Sequence, residues 1–456
     1  MPYDRREFLL AVSAAAVACK SDPLDTDVEP EPAAVRDPGP DRFEPDLQED
    51  RAIFPWSIAV GDPTPEGVMV MIRANAPLVE AVLMRFVDGQ WSEAARLPGR
   101  DTASSPSNFE VTGLDADRAY AIYAEVDGVR SRVTAFRTAP PVDSLRQVRI
   151  LATSCLGNAS DKSNLQYMAE QDADALLLLG DTIYADGAVT HADYEAAWEQ
   201  HLSVDRVRDM FASTGVIATW DDHEVDNNWV IGPTDSPLNE SVTPQQLEAA
   251  TAVWRECVPM RLGPSGSLVW RSMRWGATAE IFVLDCRGER SPGMMMSDEQ
   301  LDWFVEALQA SEAVFKIVLS SIHVTDHFEL MGVIQDSDRW QGYPEQRARL
   351  ITAAAAVPGT LFITGDMHYG AVQYIDPIGG PAEDMVEVAA GPAGSTLFPV
   401  TDVAAIGGGT LPDQYSTLVE TWSFCTLDLD PGLGTVAIRF VGDSGEVVAE
   451  HFLESL

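Results

Sequence analysis

At 456 residues the chain exceeds one ordinary domain and leaves room for a large core with a smaller unit beside it. Its 30 Lys and Arg stand against 71 Asp and Glu, a net charge of −41, which repels nucleic acid and anionic membranes over the whole surface and excludes a polyanion partner. Any anionic ligand must therefore be met by concentrated local cations, and metal ions are the natural supply.

The chain opens on Arg5-Arg6-Glu7-Phe8-Leu9-Leu10, a twin arginine that runs into apolar Ala11 to Ala18, too short a stretch to span a bilayer. It ends at Ala16-Val17-Ala18-Cys19, a pattern similar to a lipoprotein signal in which Cys19 takes the lipid and attaches the protein to a membrane; an ordinary signal peptide is the alternative. Residues 1–19 are thus expected to direct twin-arginine export to a periplasmic, membrane-anchored or secreted location. Residues 20–50 are rich in Pro, Asp and Glu and poor in large apolar side chains, which predicts a solvated tether.

From residue 51 to 140, short alternating runs such as Val68-Met69-Val70-Met71-Ile72 and Ala119 to Val126 are separated by turn signals including Asp88-Gly89 and Asp127-Gly128. This spacing predicts a small all-β sandwich of immunoglobulin or fibronectin III type. Pro140-Pro141 marks its end, and a second domain is expected over 146–456. There, buried-type strand runs alternate with amphipathic helices, predicting a layered α/β domain. Ser297 with Gln300 three residues on predicts a capping box for one helix, and others are expected at Asp193 to Leu202, Gln245 to Cys257 and Glu345 to Ala356.

Open α/β sheets place ligands at the carboxyl ends of their strands, and five runs finish on chemistry. Val148 to Thr153 leads to Ser154-Cys155, and Ala175 to Leu179 leads to Gly180-Asp181-Thr182-Ile183-Tyr184. Val216 to Trp220 leads to Asp221-Asp222-His223-Glu224 and Asn227-Asn228, Phe315 to Ser321 approaches His323, and Thr360 to Thr364 leads to Gly365-Asp366-Met367-His368. Thiolate, phenolate and imidazole favour a transition metal, whereas carboxylate and amide oxygens favour hard cations, so the set predicts a mixed cluster. A carboxylate such as Asp181 can bridge two ions, and His223 is expected to protonate a leaving oxygen. His191 and His327 are expected to be surface or capping residues.

These motifs, above all Trp220-Asp221-Asp222-His223-Glu224, resemble the alkaline phosphatase D (PhoD-like) family of calcineurin-like and purple acid phosphatase-type metallophosphoesterases. Leu284-Asp285-Cys286-Arg287, Trp340-Gln341-Gly342-Tyr343-Pro344 and, upstream, Gly61-Asp62-Pro63-Thr64 fit the same resemblance. It implies a calcineurin-like layered sandwich flanked by helices that acts on a small phosphate ester; a monomer is expected. It also implies iron(III) held by Cys155, Asp181, Tyr184 and His368, with calcium at Asp181, Asp222, Asp366 and Asn228, and Arg287 as a phosphate contact. His323 stands where the wider calcineurin-like group has a metal ligand and many members of this family do not, which leaves zinc or manganese as alternatives. Monoester, diester and phospholipase D-like chemistries remain open, as does a non-catalytic metal-containing surface lipoprotein. Of the five cysteines, Cys257, Cys286 and Cys425 have no assigned role and predict no disulfide framework.

Overall fold

The computed structural model describes residues 34–102, 105–157, 163–234, 239–266, 269–326, 338–406 and 411–454. The expected signal with Cys19, the first part of the tether and His327 lie outside the described residues. No helix among those described is long and apolar enough to cross a membrane.

The first nine strands are β1 (Gln48–Glu49), β2 (Ala59–Gly61), β3 (Gly67–Ile72), β4 (Val79–Val87), β5 (Gln90–Arg100), β6 (Ser107–Thr112), β7 (Ala119–Val126), β8 (Val129–Arg130) and β9 (Thr134–Arg137). Period-two alternation makes them a sandwich: Val68, Val70 and Ile72 of β3 meet Ala81 and Leu83 of β4 and Tyr120, Ile122 and Ala124 of β7 in one buried cluster. One layer runs β1-β8-β7-β4-β5 with β9 on β7. The other, β2-β3-β6, does not stop at the sandwich but joins the main sheet, through the Val216↔Gly61 pair. Gly61 is required there, because a Cβ would lie 1.8 Å from the Pro259 carbonyl oxygen. Buried Asp62 completes the seam by accepting two hydrogen bonds from Arg271, Nε and Nη2 each at 2.8 Å.

Residues 34–50, expected as tether, are instead strapped onto the body. Arg36 Nη1 and Nη2 each donate to Asp172 at 2.7 Å and its Nε donates to Asp174 at 2.9 Å. Phe43 and Leu47 cover the outer face of β7, against Ala121 and Tyr123. A few large apolar and basic side chains within an acidic stretch are enough to dock it.

The second region contains β10 (Val148–Thr153), α1 (Asn164–Ala169), β11 (Ala175–Leu179), α2 (His191–Leu202), α3 (Asp205–Phe211), β12 (Val216–Thr219), β13 (Val230–Ile231), β14 (Ser241–Val242) and α4 (Pro244–Cys257). It continues with β15 (Arg271–Trp275), β16 (Ala279–Val283), α5 (Asp298–Ala310), β17 (Phe315–Ser320), α6 (Pro344–Ala355), β18 (Thr360–Thr364), β19 (Gly370–Tyr374), β20 (Val386–Ala390), α7 (Val400–Ile406), β21 (Tyr415–Val419), β22 (Ser423–Asp430), β23 (Thr435–Gly442) and β24 (Val447–Glu454). One sheet runs β24-β23-β22-β10-β11-β12-β2-β3-β6 and the other β15-β16-β17-β18-β20-β19-β21. Within them β10, β11 and β12 are mutually parallel, as are β16, β17, β18 and β20.

The sheets face each other. Ile281, Ile317, Leu361 and Val388 share a core with Leu151, Leu177 and Ile217, while Phe282, Val318 and Phe362, one residue out of phase, pack under α5 and α6. Strands buried on both faces read as continuous apolar runs, which is how they appear in the sequence.

Ser297 caps α5 by accepting from Gln300 N at 3.1 Å, but the expected capping box is only half formed. The Gln300 side chain turns inward, accepting from Asp285 N at 2.8 Å and donating to Asp285 O at 3.1 Å, while Glu289 Oε2 accepts from Ser297 N at 3.1 Å in its place, so both peptides have partners. Cys155, Cys257, Cys286 and Cys425 are all buried free thiols.

Candidate active site and metal centre

Parallel strands in both sheets end on one rim, and the loops leaving them turn sharply. Among the described residues nine non-glycine positions have positive φ, and five of these are expected ligands: Cys155 (51°), Asp181 (52°), Asn228 (46°), Asp366 (65°) and His368 (57°). Asn and Asp tolerate this region; Cys and His do so at a cost of order 1–3 kcal/mol, which the surrounding structure must impose. Backbone strain is thus concentrated where the chemistry-bearing side chains converge.

Three donor groups result, within each of which one atom per residue lies within 4.8 Å of the others: Cys155, Asp181 and His368; Asp181, Asp222 and His223; Asp221, Asp222 and Asp366. Asp181 is common to the first two and Asp222 to the last two, so the groups form one connected chain of donors. Tyr184 joins the first, its hydroxyl 3.3 Å from Asp181 Oδ2. Asn228 donates its backbone N–H to Asp222 Oδ2 at 2.6 Å, and with its amide oriented to donate the side chain reaches Asp338 Oδ2 at 2.6 Å.

The carboxylates crowd one another in a buried space. Burial first, then Asp222 and Asp221, push Asp181 well above the usual carboxylate range, although His223 opposes this. Burial with Asp221 and Asp338 does the same to Asp366. Asp222 goes the other way: burial would raise it, but Arg287 and His223 hold it below the ordinary value. Burial raises the Cys155 thiol, and Asp181 adds to this. Burial and Asp181 likewise raise the Tyr184 phenol. Buried Asp181 Oδ1 and Asp222 Oδ1 meet no hydrogen-bond donor among the described residues. Buried carboxylate oxygens left without donors fit a cation, and a mixed thiol, phenol, imidazole and carboxylate set fits a metal centre.

His223 sits over this chain of donors. Its Nδ1 is 2.7 Å from Asp186 Oδ1 and its ring centroid 4.0 Å from that of Tyr184. Burial alone would lower its pKa, but Asp181, Asp222 and Asp186 together raise it to about 11. With 14% of its side chain exposed, it can meet both solvent and the buried donors.

Two expected site residues are placed differently from the expectation. His323 enters none of the three groups: it belongs to a buried network in which Nδ1 lies 3.3 Å from Glu387 Oε1 and 3.2 Å from Gln373 Nε2, and burial holds it neutral, its pKa lowered to about 3. Arg287, expected to reach phosphate, is 0% exposed. Its Nε and Nη2 donate to Asp221 at 2.5 and 3.1 Å, Nη1 is paired with Asp338, and Asp222 and Asp366 each lie 3.7 Å from Nη2. A guanidinium so enclosed neutralises carboxylates rather than facing the opening.

Sequence reasoning missed four carboxylates here. Asp221 and Glu224 stood inside the most specific motif, and Asp186 followed the Asp181 turn, but nothing in the spacing showed which carboxylates face a guanidinium, the backbone or an imidazole. Asp338 carried no signal.

A family model described as PhoD-like phosphatase matches residues 151–420. Alkaline phosphatase D of Bacillus subtilis (strain 168) is 24% identical over 375 residues, which are 69% of this chain and 64% of that protein, so the chain spans under two thirds of the relative's length. A solved PhoD structure superposes with a TM-score of 0.74 at 19% identity over 90% of each chain. Purple acid phosphatase PPD1 from yellow lupin (Lupinus luteus) seeds gives 0.59 at 14% identity, covering 88% of this chain and 75% of that one. These structures show the fold, a calcineurin-like layered sandwich preceded by a small β region. With more than half its length matched by the family model, and the motif-bearing strand ends from β11 to β18 inside that match, this chain belongs to the PhoD-like phosphatase family.

Proposed function

We propose that the protein is a metal-dependent phosphoesterase that hydrolyses phosphate mono- or diesters. The observation that carries this reading is the sharing of Asp181 and Asp222 between three adjoining donor groups, with a buried oxygen on each that no hydrogen-bond donor among the described residues satisfies. Cys155, Asp181, Tyr184 and His368 suit a transition metal, iron(III) by family likeness; Asp181, Asp222 and Asp366 suit a hard cation such as calcium. Bound there, such ions lower the pKa of a water and polarise a phosphoryl oxygen.

The chain's own residues supply the rest. With Nδ1 donating to Asp186, His223 presents Nε2 as the atom that passes its proton to the leaving oxygen as the P–O bond breaks. The Tyr184 ring restrains the imidazole from one side. Arg287 helps hold Asp222 below the ordinary carboxylate range and opposes the rise that burial imposes on Asp221. Export by the twin-arginine route, with attachment through Cys19, belongs to the same proposal and draws its support from the N-terminal motif alone.

The test is hydrolysis of p-nitrophenyl phosphate and bis-p-nitrophenyl phosphate by the full chain, run with elemental analysis for iron, zinc, manganese and calcium. Turnover of at least one substrate, lost on exhaustive chelation and restored by the removed ions, is expected. A fully metallated protein that turns over neither would sink the enzyme reading in favour of a metal-containing binding module.

A further inference from the structure

Building on the metal reading, one residue outside the donor groups stands between them and the scaffold. The Glu224 side chain is buried and accepts from three backbone N–H groups: Asp181 N at 3.0 Å and Asp221 N at 2.9 Å on Oε2, and Thr182 N at 2.7 Å on Oε1. These donors belong to two different loops. Asp181 and Thr182 leave β11, and Asp221 leaves β12. The ladder between those strands runs only to the Leu179↔Thr219 pair, so beyond it strand pairing no longer sets how far apart the loops lie.

The loops nonetheless approach closely. A Cβ on Gly180, which has φ +93°, would lie 2.4 Å from Asp221 Cβ and 2.6 Å from Asp221 N. Glycine permits that approach, and the Glu224 carboxylate holds it: Oε1 binds the loop after β11, and Oε2 bridges that loop and the one after β12. The two loops carry the residues that link the donor groups, Asp181 on one and Asp222 on the other.

We propose that Glu224 is a positioning residue: by fastening the ends of β11 and β12 together it sets the separation of the Asp181 and Asp222 carboxylates, and through it the tightness with which the site retains metal. All three of its partners are donors, so only a group that accepts on both oxygens fits. Glutamine turns an NH2 toward at least one of them, and aspartate is one methylene too short to span both loops.

Full-length wild type, Glu224→Gln and Glu224→Asp, purified alike, are dialysed against graded EDTA, and retained metal per chain is measured by elemental analysis. Thermal unfolding of the exhaustively stripped proteins is followed in parallel. Both variants are expected to release their metal at roughly 10- to 100-fold lower chelator than wild type, the usual loss when an outer partner of a metal ligand is removed. Their stripped forms should unfold closer to stripped wild type than the loaded forms do to loaded wild type. Retention by Glu224→Gln equal to wild type overturns the proposal. So does an equal fall in unfolding temperature with and without metal, or failure of both variants to fold, since either assigns Glu224 to the scaffold alone. Wild type that holds no metal after aerobic purification and refilling overturns the metal reading as well.

Discussion

The ends of β10, β11 and β12 carry Cys155, Asp181, Tyr184, Asp221 and Asp222, whereas the ends of β16 and β18, in the facing sheet, carry Arg287, Asp366 and His368. The first half holds a surplus of buried anions and is bound together by main-chain donors through Glu224. The second supplies a fully buried cation, with Arg287 0% exposed and paired to Asp221 across the gap. The carboxylates of the first half lean on a guanidinium from the second, so the electrostatics of the site are completed only when the two sheets pack face to face.

The largest effect expected from breaking this division falls on turnover. His223 belongs to the first half but meets solvent, and His223→Asn should lower kcat by roughly 10²- to 10⁴-fold, the contribution of a positioned acid or base, while metal content by elemental analysis stays at the wild-type level. Loss of a stoichiometric metal in this variant would make His223 a ligand instead.

Next in size is the cation across the gap. Arg287→Met leaves Asp221 buried without its counter-ion and Asp338 with Arg290 alone, which should cost about 3–5 kcal/mol in urea unfolding of the metal-free chain. Adding Asp221→Leu should recover part of that loss, because the two changes share one interaction. A single variant within about 1 kcal/mol of wild type would show that the carboxylates are neutral without Arg287.

The smallest effect sharpens the comparison away from the site. His201, in α2 against the first sheet, is buried with Nε2 lacking a hydrogen-bond partner among the described residues, and burial lowers its pKa from 6.5 to about 4. Between those values the unfolded chain takes up a proton that the folded chain refuses. The group's contribution to stability is therefore whole above pH 6.5, is lost as pH falls toward 4, and changes no further below that. The full loss is about 3 kcal/mol at most. His201→Leu should unfold with a shallower acid dependence across that window; parallel curves would show that His201 is solvated.

The fold was legible where periodicity speaks. Ala175 to Leu179 and Phe315 to Ser320 are apolar throughout because both faces are buried, and their C-terminal ends declared the rim. The donors were legible for the same reason, since Cys155, Asp181, Asp222, Asp366 and His368 each follow a strand. Partner choice was not. Gln300 sits at a capping-box position, and only the buried Asp285 peptide diverts it. Arg287 follows a strand as a phosphate contact would, yet carboxylates from the other sheet turn it inward. Glu224 takes its role from three N–H groups that converge only in the folded chain, and β2 and β3 read as sandwich strands, with nothing to show that their sheet continues into β12.

The strap over residues 34–50 sets where a pull on the chain would be felt. Asp174, which accepts from Arg36 and also from Arg146 and the Arg149 N–H, lies just before β11. The rim lies past the opposite end of that strand, about 16 Å away at 3.3 Å per residue for Ala175–Leu179. If the segment ahead of Ala34 is held, by a lipid or by a surface, tension enters the body at the Arg36–Asp174 pair and is spread through buried guanidinium contacts at the amino ends of the strands. The rim that carries the donor residues then lies at the other end of β11 from the point where that tension enters.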